Sequence, residues 1–372
     1  MSAVSEFLKV DLPSNKTEEY RFTPIARVLE KAFPKGFEDG LGLKKSVPSI
    51  DQFLIPGVDA DVIAVVDGVY KSIGSDKAKP SEDVFDKLNA SLSKETIVIH
   101  ATKVVEKPVL ILNINTGSTN IHNRISVKVD ANASISIIEK TINLSSSPLF
   151  HTLSEEFEVA TDGRLDYCKI QNTSNIIQVC NTTIKQEDKS HVNTFTLTLD
   201  GTLIRNNLNI SIDGENCESH FHGLSLLKGD TIGDHHTVVD HLKPNSVSNE
   251  LYKGVMDDKS KGVFNGKIYV RPHAQKTNAF QSNRNILLTD QATINTKPQL
   301  EIWADDVKCS HGCTTGQLDD EALFYLQSRG ISKVDARAML LYAFAMQTTE
   351  LITNEALKSH IDKLISARLY AQ

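Results

Sequence analysis

The sequence predicts a mainly β protein, a β-solenoid flanked by N-terminal and C-terminal helical regions, and three observations carry that prediction. From Thr96 to about Gly316, short runs of alternating or β-branched residues (ETIVIHA, RISVKVD, ASISIIE, NTFTLTLD, LNISID) are separated by Asp, Asn, Gly and Ser. Turn clusters fall at DANAS (130), TDGR (161), EDKS (187) and DGEN (213), a loose recurrence of about 25 residues that suits stacked coils. No helical break interrupts the stretch, whereas a two-sheet sandwich would show turn signals roughly every 8–12 residues across a domain of ~100 residues. The solenoid accounts better for the length.

Taken in order, the chain opens with apolar residues at helical spacing, as over Pro24 to Phe33, which predicts short helices. DVIAVVDGVYKSI (Asp61 to Ile73) is two β-branched runs joined by Asp67-Gly68, a strong hairpin signal. A helix is expected over Pro80 to Leu92. These pieces make an N-terminal helical and α+β region, residues 1–95. The solenoid takes residues 96–317, and in NTFTLTLD Phe195, Leu197 and Leu199 face one way while Thr194, Thr196 and Thr198 face the other.

Residues 318–372 form a C-terminal helical domain. Leu318 to Arg329 ends at Gly330, suited to a left-handed C-cap. Ser332 followed by Asp335 opens the next helix in the manner of a capping box, and Asn354 is an N-cap for the last. In the middle helix Val334, Ala338, Leu341, Ala345 and Thr348 share a side, and Leu340, Phe344 and Leu351 widen the apolar surface beyond a stripe. Such a module has surplus apolar area on which a partner can dock.

Composition excludes several function classes. At 372 residues with 40% hydrophobic and 23% charged residues, the chain reads as an ordinary globular protein of two or three domains. A formal charge of -7 gives no footprint for nucleic acid. No apolar run approaches the ~18 residues of a membrane span, and the N-terminus lacks the signal-peptide pattern, so a cytoplasmic location is expected. Cys168, Cys180, Cys217, Cys309 and Cys313 are an odd, scattered set, read as reduced thiols rather than a disulfide framework.

Chemistry concentrates in KCSHGCTTGQLD, where Cys309, His311 and Cys313 alternate. Thiol and imidazole are ligands for iron, zinc and copper. In an extended strand the three would share a face but stand roughly 6.5–7 Å apart, and a structural zinc or an iron-sulfur cluster usually takes four ligands. Any remaining ligands must come from elsewhere in the chain or from another chain. Buried strand cysteines are the competing reading, since free Cys is among the most buried residue types. His220 and His222, with Asp234, His235, His236, Asp240 and His241, make a second metal site conceivable. No loop or helix fixes a tetrahedral spacing there, so they read as polar side chains stacked along the coils. GVFNGKI (Gly262 to Ile268) has too few residues between its glycines for a phosphate loop, and Ile268 stands where Ser or Thr would meet magnesium. GxSxG, HExxH and CxxC are absent from the sequence.

The runs ELYKGVMDDKSKGVFNGKIYV (Glu250 to Val270) and AQKTNAFQSNRNILLTDQATINTKPQLEIWADDVKCSHGCTTGQLDDEALFYLQSRGI (Ala274 to Ile331) resemble the SufD branch of the SufB/SufD family of the SUF iron-sulfur cluster assembly system. LPSNKTEEYRFTP (Leu12 to Pro24) resembles the family's opening, and residues 96–230 resemble it only in pattern. SufB chains share the plan but generally lack CSHG followed by GQLD and are longer. The resemblance implies a right-handed parallel β-helix and a non-catalytic scaffold. It implies pairing with a SufB-like paralogue through the β-helix and docking of a SufC-like ATPase on the C-terminal helices. A transient iron or nascent iron-sulfur cluster would form at the subunit interface, and ATP would enter only through the ATPase. The family's Cys-Ser-His falls on Cys309, Ser310 and His311, with His311 the cluster or iron contact and Cys309 its neighbour. Cys313 departs from the pattern and takes no role. A homodimer is expected when the chain is alone. Two other classes stand beside this one: a β-helical enzyme acting on carbohydrate or acyl substrates, and a stand-alone metal-binding protein.

Overall fold

Left-handed backbone at Asn132, Asp162, Lys189, Asn216, Asn245 and Lys276, with φ between 54° and 63°, turns the chain at one corner of six successive coils. That conformation costs an ordinary L-residue about 1–2 kcal/mol, and less for Asn and Asp, whose short side chains bond locally. The cost is offset because each corner N–H donates to the next coil: Asn132 to Thr161 O at 3.1 Å, Asp162 to Asp188 O at 2.9 Å, Lys189 to Glu215 O at 2.8 Å, Asn245 to Gln275 O at 2.9 Å. The numbering of the corners gives a coil of 27 to 31 residues. The turn clusters seen in the sequence all lie on this line.

The computed structural model describes residues 11–37, 49–70 and 82–370. Its strands, numbered in chain order from β1 (Asp61–Val66) and β2 (Thr96–Ala101) to β16 (Thr293–Ile302) and β17 (Lys308–Gly316), alternate between two sheets. Nine odd-numbered strands form one sheet and eight even-numbered strands the other, in the orders β1 to β17 and β16 to β2. Every neighbouring pair is parallel, one coil apart, as in β1 with β3 (Val109–Asn115), Asp61 opposite Val109. The result is the expected β-solenoid, of about eight turns. Asp67 and Gly68 do turn the chain, with positive φ and an antiparallel Val66 to Val69 bridge. β1 itself joins the solenoid sheet, and residues 71–73 of the expected hairpin lie outside the described residues.

Both faces of both sheets are buried over most of their length. One apolar cluster lies inside the solenoid and includes Ile137, Phe157, Ile184, Val239, Ile268 and Ala279. A second lies on the outer face of the odd sheet, where Leu110, Phe195, Leu197 and Leu224 meet Leu341, Ile361 and Ile365 of the C-terminal helices. A third covers the outer face of the even sheet, where Ile25, Leu29 and Phe85 meet Phe150, Val179 and Leu203. The covering helices are α1 (Ile25–Ala32), α2 (Val84–Leu92) and, beyond α3 (Asp320–Ser328), which packs on the helix after it and buries none of its own residues, α4 (Lys333–Met346) and α5 (Glu355–Tyr370). Their caps are as expected: Ser332 Oγ accepts from Asp335 N at 3.1 Å, and Asn354 Oδ1 from Leu357 N at 3.0 Å. Asp83, not foreseen, caps α2 by accepting from Phe85 N at 2.8 Å. Val334 is 48% exposed, so the buried stripe of α4 is Ala336, Ala338, Leu341 and Ala345. Among the described residues no helix is long and apolar enough to cross a membrane.

Candidate functional site

The last coil has no successor. β17 pairs only with β15 (Asn278–Leu287) and β16 only with β14 (Lys261–Val270), so both sheets end on an open edge among the described residues. The register fixes which side chains line the interior there. Ala279, Gln281 and Asn283 are buried and stand opposite Cys309, His311 and Cys313. All three candidate ligands therefore point into the mouth of the solenoid.

They do not converge. The strand runs unbroken through Gly312 from Lys308 to Gly316, so no turn folds the ligands together. Among the described residues, no three His, Cys, Asp or Glu side chains gather where they could hold a metal ion. Cys309 is half-buried and packs against the lumenal cluster, and burial pushes its thiol up, against the pull of a backbone hydrogen bond from Ala279. His311 and Cys313 are exposed. Cys313 Sγ lies 2.9 Å from Thr296 Oγ1 of β16, across the mouth. The site is an open rim carrying a thiol, an imidazole and a second thiol, and a metal bound to it would need ligands from outside this rim.

The other histidines are dispersed by the fold. His220 lies on the outside with Glu218 Oε1 at 2.9 Å, and His222 Nδ1 bonds Thr348 O at 3.0 Å beneath the C-terminal helices. His235 and His241 point inward to Ser225 Oγ at 3.0 Å and Ser248 Oγ at 2.8 Å, and burial pushes both rings down to about 4. Asp240 binds Arg271 through both oxygens at 2.7 Å. Asp234 faces outward against Arg205, 2.7 Å away, and His236, 3.0 Å away. Although burial raises it, the neighbouring His236 ring and the Arg205 guanidinium hold its carboxyl well below the usual carboxylate range. Apart from the Asp234–His236 pair, each of these side chains has its own separate partner. GVFNGKI forms β14, a regular strand and not a loop.

Sequence reasoning missed the polar column behind the rim. Glu250, on β13 (Val247–Met256), is fully buried one coil below Gln281 and accepts a hydrogen bond from its Nε2. The signal was present as polar residues recurring at the coil spacing, 250, 281 and 311, but only a known register turns that spacing into a stack.

Residues 112–344 match the family model for the SUF system FeS cluster assembly SufBD core domain. The iron-sulfur cluster assembly protein SufD of Escherichia coli is 30% identical over 98% of this chain and 91% of its own length. An iron-sulfur cluster assembly SufBD family protein of Synechocystis is 32% identical over 77% of this chain and 66% of its own. The chloroplastic protein ABCI7 of Arabidopsis thaliana is 29% identical, over 75% and 61% respectively.

Proposed function

Because the chain belongs to the SufBD family of the SUF iron-sulfur cluster assembly system, as a SufD-type member, we propose that it is a scaffold subunit with no catalysis of its own. In this reading its open last coil abuts a SufB-like chain, and iron or a nascent cluster is assembled as cargo where they meet. The observation that carries it is the combination at one rim: an unpaired strand edge, and inward-facing Cys309 and His311 too few and too far apart to enclose an ion.

An exposed, unpaired strand edge is a template for another strand. β16 has Pro298 in mid-strand, which removes a donor. β17 has no proline, so its free edge keeps its backbone donors for a partner strand. The same edge can pair with a second copy, and we expect a homodimer when the chain is alone. His311 serves as the iron or cluster contact, with Cys309 beside it. Cys313 takes no role.

The C-terminal helices offer the second docking surface. Phe324 and Tyr325 on α3 are 72% and 57% exposed, and Val334 and Met339 on α4 lie exposed nearby in sequence. An aromatic pair of this kind suits a hot spot for the SufC-like ATPase, through which alone ATP would enter. Five free thiols suit the reducing cytoplasm.

Mixing the chain with its SufB-like and SufC-like partners tests the reading: a stable complex on gel filtration is expected, and its absence overturns the proposal. Stoichiometric, chelator-sensitive metal in the isolated chain, lost in Cys309→Ala, would mark a stand-alone metal protein instead.

A further inference from the structure

Glu250, Gln281 and His311 hold the same inward position on β13, β15 and β17, with Glu250 opposite Gln281 and Gln281 opposite His311. Gln281 is buried, and its Nε2 donates to Glu250 Oε2. A carboxylate can only accept, so it turns the NH2 end of the amide toward itself and the oxygen end away. That oxygen, Gln281 Oε1, is buried and takes no partner among the described residues. An orphaned buried acceptor costs about 1–3 kcal/mol, which is a reason to look for the donor it is meant to receive.

The surroundings are shaped for this arrangement. Gly266 on β14 lies across the lumen, and a Cβ there would come within 2.2 Å of Gln281 Nε2, so the glycine leaves the space the amide occupies. Among the neighbouring lumenal amides, Asn283 Nδ2 donates to Tyr252 O at 3.2 Å and Asn285 Nδ2 to Asn283 Oδ1 at 2.7 Å, neither of them to Gln281. In the next coil the residue in register with Gln281 is His311.

We infer that Glu250, acting through Gln281, is a positioning residue for His311: the carboxylate orients the amide, the amide oxygen accepts one ring N–H, and the other ring nitrogen keeps its lone pair for iron. Histidine ligands are commonly held in one tautomer by such a partner, and removing it typically costs 10–100-fold in metal affinity. Burial pushes the Glu250 carboxyl up to about 7, against the lowering effect of its hydrogen bond from Gln281, so the accept-only form prevails above neutrality. The inference rests on the role proposed above for His311.

The test is 15N-histidine NMR of the full chain at a pH about two units above the ordinary imidazole value of roughly 6.5, with His311 assigned through His311→Ala. Wild type should show one neutral tautomer for His311. Glu250→Gln, which keeps an oxygen acceptor for the amide, should retain it. Glu250→Met and Gln281→Met should give a tautomer mixture with an unchanged gel-filtration profile. If Glu250→Met fails to fold, Gln281→Met carries the test with the same two outcomes. A mixture in wild type, or a single unchanged tautomer in the Met variants, overturns the inference. Neither result needs iron or a partner. Normal cluster assembly by a complex containing His311→Ala would instead sink the proposed role of His311 and leave the ring geometry standing.

Discussion

Cys309 stands in register with Ala279 one coil earlier, yet Ala279 is fully buried and Cys309 is half-exposed. The strand type, the facing and the sheet are the same at both positions, so the difference is the missing next coil. Interior positions of a solenoid are dry only while another coil covers them. At β17 the column Ser248, Ala279, Cys309 meets solvent, and with it the column that ends in His311. An end left uncapped in this way, with chemistry on its rim, fits a surface that another chain completes.

Gly312 lies on the edge strand between the inward-facing His311 and Cys313, so a side chain there would stand on the outer face beside the free edge, in open space and on ordinary backbone. Gly312→Arg should leave thermal stability within the ~0.5 kcal/mol typical of a surface change and abolish pairing with itself or a SufB-like chain. Gel filtration checks it, and a complex of normal size would refute an edge-to-edge contact.

Phe324 and Tyr325 support α3 little from the inside, since both are exposed. Replacing both with Ala should weaken binding of the SufC-like ATPase by at least ~2 kcal/mol, about thirtyfold, as expected for an aromatic hot spot. The melting temperature should hardly move. Calorimetric titration with the ATPase decides it, and an unchanged affinity would place the docking surface elsewhere.

Arg205 anchors the N-terminal segment. It is 2% exposed, and its Nη1 donates to Asp234 Oδ2 at 2.7 Å and to Glu19 O at 2.8 Å, while its guanidinium lies 4.0 Å from the Tyr20 ring centroid. Arg205→Met leaves Asp234 without this buried partner, a change that costs about 3–5 kcal/mol. Urea unfolding should show that loss, and limited proteolysis should open the chain near residues 17–23. A loss under about 1 kcal/mol would contradict the anchor.

Glu250 links stability to pH. Burial raises its carboxyl from 4.5 to about 7, so the folded chain holds the proton longer than the unfolded chain. A carboxyl raised in this way carries no penalty below about pH 4.5, and its penalty grows as pH rises to about 7. Glu250→Gln removes it. Relative to wild type, the variant should gain nothing at pH 4.5 and up to about 3 kcal/mol above pH 7. A difference that stays flat with pH, in denaturant melts across that range, would show that the carboxyl titrates normally.

The corners of the solenoid were legible in the sequence because they need positive φ, which Asn and Asp tolerate, so DANAS and TDGR mark the coil directly. The corner at Lys189 was marked only through its neighbours in EDKS, and the one at Lys276 carries no such mark. Facing was harder. Phe195, Leu197 and Leu199 alternate with Thr194, Thr196 and Thr198, but the apolar set points outward beneath the C-terminal helices and the threonines point into the lumen, where Thr198 donates to Gln171 Oε1 at 2.8 Å. Where both faces of a sheet are covered, alternation cannot say which is inside. Cys309 and His311 were visible as residue types, whereas Glu250 and Gln281 became legible only once the register stacked them.

The most direct test of the account is cluster formation by the purified three-subunit complex carrying His311→Ala, measured as iron and acid-labile sulfide per complex beside its thermal melt. The complex should keep its normal size and melting temperature while its cluster content falls by at least tenfold. A normal cluster content, or a fall explained by a collapsed melting temperature, would contradict it.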